Sequence, residues 1–503
     1  MPLKVLHFGL DYHPYTCAGA PVVTMARMQN PAPRKTKIVA TVGPASWEPA
    51  TLRQMIEAGV DVMRLNFSHA DEDQHTRTVR DIREASRAVG REIGILGDLP
   101  GPKLRVGEFP EGVVELVLGS TVKLIVGDGG GTTDVIPVPW PKMPEVLGEE
   151  AIVYLADGSI RLRVTGRAGD ALTAEVEVGG PLSSNKGMNL PGVDNGLAAV
   201  SDVDLGWVDF AVKNELDLLA VSFVRRASDL QPVMDRLKQL DSDLPVIAKI
   251  EKPQAADAID SIVAAANGGI MIARGDLGIE VPLSKVPVLQ KRLIKAAGHE
   301  SKPVITATQM LASMVHSKRP TRAEVTDVAT AIFDGTDAVM LSEETAVGDH
   351  PVEAIKVMDQ IARATEPDLP YWEWLLNRTS QEEMDVSASV TQSAVTTAYR
   401  LDLEAIVVPT ATGRTAIVVA AHRPRVPVLA VTHSLKSLRR LRLIFGVEPV
   451  LHDQTPEIRD LLYECADVAV KYGAARSGQK IAIVAGLTDQ HLGTNLFEVH
   501  RVP

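Results

Sequence analysis

The sequence is constrained most strongly by eight short apolar runs, each followed by a helical pattern or an interruption. The runs are rich in β-branched residues and span Ile38–Val42, Val60–Asn66, Glu92–Asp98, Leu218–Phe223, Pro245–Ile250, Gly269–Ala273, Pro303–Thr308 and Ala338–Leu341. Apolar runs of this length that alternate with helical segments are typical of parallel strands buried on both faces. Eight such units in one chain predict an α/β fold, a closed (β/α)8 TIM barrel.

A different pattern interrupts the series between its third and fourth runs, over residues 106–190. Short segments with a period of two are separated there by Gly and Asp-Gly turns, and they cover Val113–Leu118, Thr121–Val126, Ala151–Leu155, Ile160–Thr165 and Ala171–Val178. Period-two segments joined by such turns indicate antiparallel hairpins. We therefore expect a small β domain, inserted in a barrel loop and able to cover the mouth as a lid.

The remaining boundaries follow from the same patterns. The barrel is expected to comprise residues 33–105 and 191–365, followed by a proline- and aromatic-containing linker at 366–385. From residue 386 to 503 the alternation of helices and strands resumes, with strands predicted at Ala405–Val408, Val428–Val431, Pro449–Leu451 and Lys480–Val484. This stretch predicts a separate open α/β domain. Residues 1–32 match none of these patterns and are interpreted as an N-terminal extension, whose sequence is compatible with disorder.

Charge and cysteine content exclude several classes of protein. A net charge of −12 argues against non-specific binding to nucleic acid. No apolar run approaches the ~20 residues that cross a bilayer. The two cysteines, Cys17 and Cys465, are too few for a disulfide framework or a zinc site. We expect a cytoplasmic protein with neither a nucleic-acid partner nor a membrane partner.

Three charged residues follow two neighbouring strands of the predicted barrel. Lys249 and Glu251 lie at the end of the fifth run, and Asp276 follows the sixth. The carboxyl ends of barrel strands meet at one mouth, so these side chains are expected to share a cleft. Two carboxylates suit a divalent cation that keeps positions open for substrate oxygens, and the ammonium suits a phosphate or an enolate. A structural ion-pair network is the alternative reading of the same residues.

Further polar residues end other strands of the series. Strand alternation places Arg64, Asn66 and Ser68 on one face of the second strand. Thr308 ends the seventh strand and Ser342 follows the eighth. Either hydroxyl alone is explained by a bond to the backbone, but the set is expected to converge on the barrel mouth.

Several long segments, in this order and spacing, resemble the pyruvate kinase family. They are Arg34–Ser46, Arg64–His69, Asn185–Gly192, Ile247–Glu251, Ala273–Gly278, Pro303–Met310 and Arg319–Val325. The likeness extends over roughly residues 34 to 503. It implies a TIM barrel, a β-barrel lid and a C-terminal regulatory domain, usually assembled as a homotetramer. It also implies a glycolytic enzyme that transfers the phosphoryl group of phosphoenolpyruvate to ADP, giving pyruvate and ATP.

The resemblance also implies roles for residues that match the family's motifs. Glu251 and Asp276 would hold Mg²⁺ or Mn²⁺, and Lys249 would stabilise the charge that develops as the phosphoryl group moves and the enolate forms. Gly275, beside Asp276, would bind the substrate carboxylate through its backbone. Thr308 would position the substrate and serve the route that protonates enolpyruvate, with Ser342 and Glu344 as weaker candidates for that route.

On the phosphate and nucleotide side, the resemblance assigns arginines and a polar turn. Arg64 would hold the substrate phosphate and Arg105 the nucleotide phosphates, because a guanidinium binds phosphate with two parallel hydrogen bonds. Asn66, His69 and, from the base of the lid, Lys186 would contact the nucleotide.

One departure from the family pattern concerns the monovalent cation. Many members bind K⁺ through Asn, Ser, Asp and a Thr, and carry Glu four residues after that Thr. Asn66, Ser68 and Asp98 are present, but Leu99 replaces the Thr and Lys103 replaces the Glu. A lysine ammonium is itself a compact monovalent cation. We expect Lys103 to substitute for K⁺, as in the K⁺-independent branch of the family; the alternative is a solvent-facing lysine beside a K⁺ site.

The C-terminal domain carries a candidate effector loop between a strand and an apolar helix. Hydroxyls and a glycine at a helix N-terminus can bind an anion, and the residues concerned are Thr410, Thr412, Gly413, Arg414 and Thr415. The loop resembles the one that binds a sugar phosphate or nucleotide in regulated pyruvate kinases, although an ordinary helix cap also explains it.

Two other functions stay open at this point. A divalent-metal lyase or aldolase acting on pyruvate enolates would use the same carboxylate pair, but it would need neither the nucleotide-side residues nor the lid. A catalytically silent paralogue could bind phosphometabolites through its last domain, although Lys249, Glu251, Asp276 and Thr308 are intact.

Overall fold

The computed structural model describes residues 33–193, 196–379, 385–453, 458–486 and 493–503. The predicted extension at 1–32 lies outside these ranges, as does part of the predicted linker. None of the helices within them is long and apolar enough to cross a membrane.

The described part of the chain begins with three parallel strands and two helices, β1 (Lys37–Val42), α1 (Pro49–Glu57), β2 (Val62–Asn66), α2 (Glu72–Val89) and β3 (Gly94–Asp98). Local sequence sets the limits of the long helix α2. The side chain of Asp71 accepts a hydrogen bond from the Gln74 amide at 2.8 Å and caps the first turn. Gly90 ends the helix with a φ of 72°, a conformation that glycine adopts without a steric penalty.

The insert follows β3 and forms two sheets. Its elements are β4 (Val113–Leu116), β5 (Thr121–Val126), β6 (Val135–Val138), α3 (Met143–Val146), β7 (Ile152–Leu155), β8 (Ile160–Ala168), β9 (Ala171–Val178), β10 (Gly180–Ser183) and β11 (Met188–Asn189). Six strands pair in the order β11-β7-β8-β9-β5-β6, and β10 pairs with β4. All five predicted segments contain strands, whereas β6, β10 and β11 were not predicted. Among the described residues the strands form one six-stranded and one two-stranded sheet rather than a closed barrel.

The remaining barrel strands follow the insert, with helices between them. They are α4 (Asp202–Lys213), β12 (Leu218–Val221), α5 (Gln231–Gln239), β13 (Val246–Ile250), α6 (Pro253–Asp257), α7 (Ile259–Ala265), β14 (Gly269–Ala273), α8 (Arg274–Glu280), α9 (Val286–His299), β15 (Val304–Ala307), α10 (Arg322–Phe333), β16 (Ala338–Leu341), α11 (Glu343–Ala346) and α12 (Pro351–Thr365). The parallel strands close in the order β1-β16-β15-β14-β13-β12-β3-β2. The predicted (β/α)8 barrel is therefore confirmed, and each predicted run overlaps one of its strands.

The C-terminal elements build a five-stranded sheet. They are α13 (Tyr371–Thr379), α14 (Val386–Arg400), β17 (Ile406–Pro409), α15 (Arg414–Ala421), β18 (Val428–Thr432), α16 (Leu435–Leu441), β19 (Val447–Leu451), α17 (Ile458–Lys471), β20 (Lys480–Ala485) and β21 (Leu496–Arg501). The sheet order is β19-β18-β17-β20-β21, and the last strand, which was not predicted, runs antiparallel. The open α/β domain is confirmed. The predicted linker contains helix α13, whose Trp372 ring stacks on Tyr399 at 4.7 Å.

The barrel and the C-terminal sheet meet at the end of the barrel opposite the strand C-termini. Leu443, from the turn after α16, packs with the buried residues that fill the barrel interior. Arg423 forms a bidentate ion pair with Asp337 at 2.9 and 3.0 Å. The ammonium of Lys37 lies 2.9 Å from Glu448 with its side chain fully buried. These contacts leave the opposite mouth for the candidate site.

Candidate functional site

The centre of the site is the ammonium of Lys249, which ends strand β13. Its Nζ atom lies 2.7 Å from the Ser222 Oγ atom, 3.0 Å from Glu251 Oε1 and 3.2 Å from Asp98 Oδ1. Burial lowers the pKa of Lys249, but Asp98 and Glu251 outweigh it and raise the pKa above its ordinary value. Lys249 is therefore a fixed positive charge at the carboxyl ends of the strands.

Asp98 connects this lysine to Arg64. The second oxygen of the Asp98 carboxylate accepts a hydrogen bond from Arg64 Nε at 2.6 Å, and Arg64 also donates to Thr41 Oγ1 at 2.9 Å. Burial raises the pKa of Asp98, yet the charges of Lys249 and Arg64 outweigh it and hold the pKa below its usual value. Two cations thus share one buried carboxylate, and their positions relative to each other are fixed.

The two predicted metal ligands lie close enough to repel each other. Burial raises the pKa of Glu251; the Lys249 charge opposes this, and the negative charge of Asp276 adds to it, so the pKa ends above its ordinary value. One Glu251 oxygen also accepts the backbone N–H of Phe223 at 2.7 Å. A divalent cation between the two carboxylates would relieve their repulsion, so the donor set fits one.

Within the described residues, no group of three or more His, Cys, Asp or Glu side chains converges as a metal cage. A pair of carboxylates therefore fits a cation that takes its remaining ligands from water and substrate oxygens, as Mg²⁺ commonly does.

Thr308 is placed against the first turn of helix α8. Its hydroxyl accepts a hydrogen bond from the Gly275 amide at 2.7 Å and donates to the carbonyl of Ala307 at 2.7 Å. The φ angle of Thr308 is 69°, which is costly for a β-branched residue. Arg274 donates to the Thr308 carbonyl at 3.0 Å and pairs with Asp327 at 2.7 Å. The structure therefore brings Thr308 and Gly275, two of the predicted site residues, into direct contact.

The polar turn after strand β2 lies beside a group of cations. The side chain of Asn66 accepts a hydrogen bond from the Ser68 amide at 3.2 Å. Burial lowers the pKa of His69, and four nearby positive charges, led by Arg105 and Arg64, lower it further. The other two are Lys103 and Lys186, so four of the predicted cations lie near His69. A concentration of positive charge of this kind attracts phosphate groups.

Lys103 and Arg105 make their described contacts with the insert and with Asp276. The Lys103 ammonium lies 3.1 Å from Asp157 in the β7–β8 turn and 3.7 Å from Asp276. Asp98, which was expected near Lys103, is instead paired with Arg64 and Lys249. Arg105 donates to the carbonyl of Asn185 at 3.0 Å. Lys186 is exposed at the base of the insert.

The predicted candidates Glu344 and Ser342 also lie at the mouth, together with two hydroxyl residues that were not predicted. The Glu344 carboxylate accepts the amides of Leu311 at 3.0 Å and Ser342 at 2.7 Å, so it braces two loops from a buried position. Ser222 contacts Lys249 and Thr41 contacts Arg64, but neither hydroxyl was predicted from the sequence. Ser222 donates to the carbonyl of Leu99 at 2.7 Å while accepting from Lys249. Both lie within apolar strand runs, where a single hydroxyl gives no signal.

The predicted effector loop lies in the C-terminal domain, directly before helix α15. Gly413 caps that helix with a φ of 87°, and its amide donates to the Thr410 hydroxyl at 2.9 Å. Thr412 and Arg414 are exposed. Thr415 exchanges a hydrogen bond with Thr494 at 2.8 Å.

The sequence matches two family models, described as pyruvate kinase, barrel domain, over residues 33–355 and pyruvate kinase, alpha/beta domain, over residues 388–500. It is 43% identical to a pyruvate kinase of Geobacillus stearothermophilus over 93% of this chain and 80% of that protein. It is 38% identical to one of Thermococcus litoralis over 93% of this chain and 99% of the relative. It is 40% identical to a pyruvate kinase of Methylorubrum extorquens over 90% of this chain and 94% of that relative. The chain is an enzyme that belongs to the pyruvate kinase family.

Proposed function

We propose that this enzyme transfers the phosphoryl group of phosphoenolpyruvate to ADP through the site around Lys249. The observation that carries the proposal is the arrangement of Lys249 and Arg64 on the two oxygens of the buried Asp98 carboxylate. Phosphoryl transfer depends mainly on positioning and on stabilising charge in the transition state. Two cations held in fixed positions, beside a carboxylate pair, provide both requirements.

In this proposal each side chain has a distinct task. Arg64 binds the phosphate that is transferred, and the Lys249 ammonium stabilises the enolate oxygen that develops as the P–O bond breaks. The Gly275 amide, at the first turn of α8, orients the substrate carboxylate, and Thr308 fixes that turn while its hydroxyl serves the protonation of enolpyruvate. Asn66, His69, Arg105 and Lys186 bind the nucleotide on the other side of the mouth.

Glu251 and Asp276 would hold Mg²⁺ or Mn²⁺. When bound, the cation would neutralise charge on the substrate carboxylate and phosphate. The chain's own contribution is to fix Glu251 through the Phe223 amide and Lys249, so that one ligand is already in place before the cation binds.

The direct test is the initial rate of pyruvate formation from phosphoenolpyruvate by the purified full chain. A rate that requires both ADP and a divalent cation supports the proposal. Pyruvate formation that is independent of ADP would favour a lyase-type reaction at the same carboxylates. No rate at all, with or without phosphorylated metabolites, would support a silent paralogue.

We further propose that the enzyme needs no K⁺ and thus belongs to the K⁺-independent branch. The Asp98 carboxylate is already paired on both oxygens by protein cations, and the Leu99 carbonyl already accepts the Ser222 hydroxyl. Lys103 adds a positive charge to the same mouth. Replacing K⁺ with tetramethylammonium should leave the rate unchanged, and Lys103→Glu should create a K⁺ requirement. Wild-type activity only in K⁺, or a K⁺-indifferent Lys103→Glu variant, would contradict this assignment.

Three less detailed parts of the proposal concern regulation, assembly and location. The exposed Thr412 and Arg414, beside the glycine cap of α15, support a site for a sugar-phosphate or nucleotide effector. We expect Thr412→Ala to abolish activation by whichever of these metabolites activates the wild type, and unchanged activation would refute the site.

A homotetramer is expected from the family, and light scattering of the full chain tests it. We also expect a cytoplasmic location.

A further inference from the structure

The turn that carries Asn66 and His69 has a strained conformation close to the site. Ala70, directly after His69, has a φ of 66°. This is the left-handed region, which residues other than glycine, asparagine and aspartate rarely adopt. A strained backbone persists only where surrounding contacts determine it. The turn therefore needs anchoring contacts from outside itself.

His75, in the first turns of helix α2, supplies one such contact. Its Nε2 atom lies 2.8 Å from the carbonyl oxygen of His69. A carbonyl can only accept a hydrogen bond, so Nε2 carries the proton and donates. Burial lowers the pKa of His75, which keeps the ring neutral near neutral pH. The hydrogen bond thus connects a helix to the residue that precedes the strained Ala70.

An aromatic cluster fixes the ring of His75 in this orientation. The ring packs edge-on against Trp207 at 5.4 Å and against Phe67 at 5.1 Å. Phe67 itself stacks on Trp207 at 4.4 Å with nearly parallel planes. Phe67 also lies inside the turn, between Asn66 and His69. The cluster therefore holds the turn in two ways. Phe67 belongs to the turn and packs in the cluster, and His75 packs in the cluster and donates to the His69 carbonyl.

We propose that His75 is a positioning residue for the nucleotide: it holds the backbone of His69 and keeps the Asn66–His69 turn in the conformation that binds ADP. The inference rests on the proposed function, because it assigns the turn to the nucleotide side. His75 is 5% exposed and makes its described contacts with the turn and the cluster, so its effect on the reaction is indirect.

The test compares two substitutions of equal length, His75→Gln and His75→Met. Both remove the ring, but the glutamine amide can reach the His69 carbonyl as Nε2 does and methionine cannot donate. We expect KM for ADP to be about five-fold higher in the methionine variant than in the glutamine variant, the effect of one neutral hydrogen bond. KM for phosphoenolpyruvate and kcat should be alike in the two variants.

Two further measurements separate positioning from simple loss of stability. His75→Phe keeps an aromatic ring in the cluster without a donor, and it should raise KM for ADP as the methionine variant does. Ser86→Ala, which removes a buried hydroxyl farther along helix α2 without touching the cluster or the His75 hydrogen bond, should lower the melting temperature and leave KM for ADP unchanged.

The possible outcomes are distinct. A wild type with no ADP-dependent activity would overturn the proposed function. A wild type that is active, with equal KM for ADP in the glutamine and methionine variants, would overturn the role of His75 alone. Equal changes in KM for both substrates would also overturn it, since they would indicate a general disturbance of the mouth.

Discussion

Ser222 offers a sensitive test of how Lys249 is held. The Lys249 ammonium has three N–H donors, and its three described acceptors are Ser222, Glu251 and Asp98, at 2.7, 3.0 and 3.2 Å. Ser222 can only accept from Lys249, because an ammonium has no acceptor, and its own proton is donated to the carbonyl of Leu99 at 2.7 Å. The hydroxyl therefore sets the direction of the ammonium, and Ser222→Ala removes the shortest of the three contacts without changing any charge.

The expected magnitude follows from the burial of Lys249. Its side chain is 11% exposed, so little water is available to replace the lost acceptor. A hydrogen bond to a charged group is worth about 1.5–3 kcal/mol. If the transition state loses all of this, kcat falls by about 10- to 150-fold at 25 °C. KM for ADP should stay unchanged, because the proposed nucleotide contacts come from Asn66, His69, Arg105 and Lys186, none of which contacts Ser222 in the described hydrogen bonds.

Steady-state kinetics of pyruvate formation, with a matched control, measures this effect. Ser86→Ala removes a hydroxyl that is equally buried and donates to a carbonyl, that of Arg91, at 2.7 Å outside the site. Both variants should melt at a lower temperature than the wild type, but only Ser222→Ala should lose kcat. A Ser222→Ala enzyme with kcat within twofold of the wild type would refute the reasoning.

The remaining predictions concern the contacts between the barrel and the C-terminal domain. Arg423→Ala leaves the buried carboxylate of Asp337 unpaired and should lower the free energy of unfolding in urea by about 3–5 kcal/mol. Burial raises the pKa of Glu448, but Lys37 and Arg442 outweigh it and lower the pKa from 4.5 to about 2. Because that pKa is depressed, its stabilisation is present above pH 4.5 and is lost as the pH falls toward 2. Glu448→Gln should therefore flatten part of the acid-induced loss of stability.

The Arg423 prediction has a matched control variant, and both predictions have a contrary result. Arg236→Ala breaks a bidentate pair with Asp209, at 2.7 and 2.6 Å, on the surface, where little change in stability is expected. An Arg423→Ala variant as stable as Arg236→Ala would contradict the buried-pair argument. For Glu448, a variant whose stability falls as steeply as the wild type between pH 4.5 and 2 would show that other carboxylates dominate acid unfolding.

Much of the fold could be predicted because buried parallel strands leave a clear trace in sequence. The barrel runs are largely apolar on both faces, and several of them change to charge near the carboxyl end, as at Lys249 and Glu251. The strands β6, β10 and β11 and the edge strand β21 were missed since they are short or lack a clear alternation. The position of Leu443 under the barrel was also missed, because that contact joins parts of the chain that no local pattern connects.

The site was predicted where charge ends a strand and missed where a hydroxyl sits within one. Ser222 gives no signal in its run, and its role comes from strand β12 lying beside β13, which only the closed barrel determines. Lys103 was expected beside Asp98, but its ammonium pairs with Asp157 and Asp276. That placement depends on how the insert folds over the mouth, which local sequence does not specify.

The most direct test of the central claim is the rate of ADP-dependent pyruvate formation by the wild type and by Lys249→Met. Lys249 lies at the centre of the charged network, and methionine keeps an unbranched apolar chain of similar length without the charge. The account predicts that the wild type needs ADP and Mg²⁺ and that the variant, folded as judged by circular dichroism, loses most of this activity. A folded Lys249→Met enzyme that keeps wild-type kcat would contradict the assignment of Lys249 as the charge that stabilises the transition state.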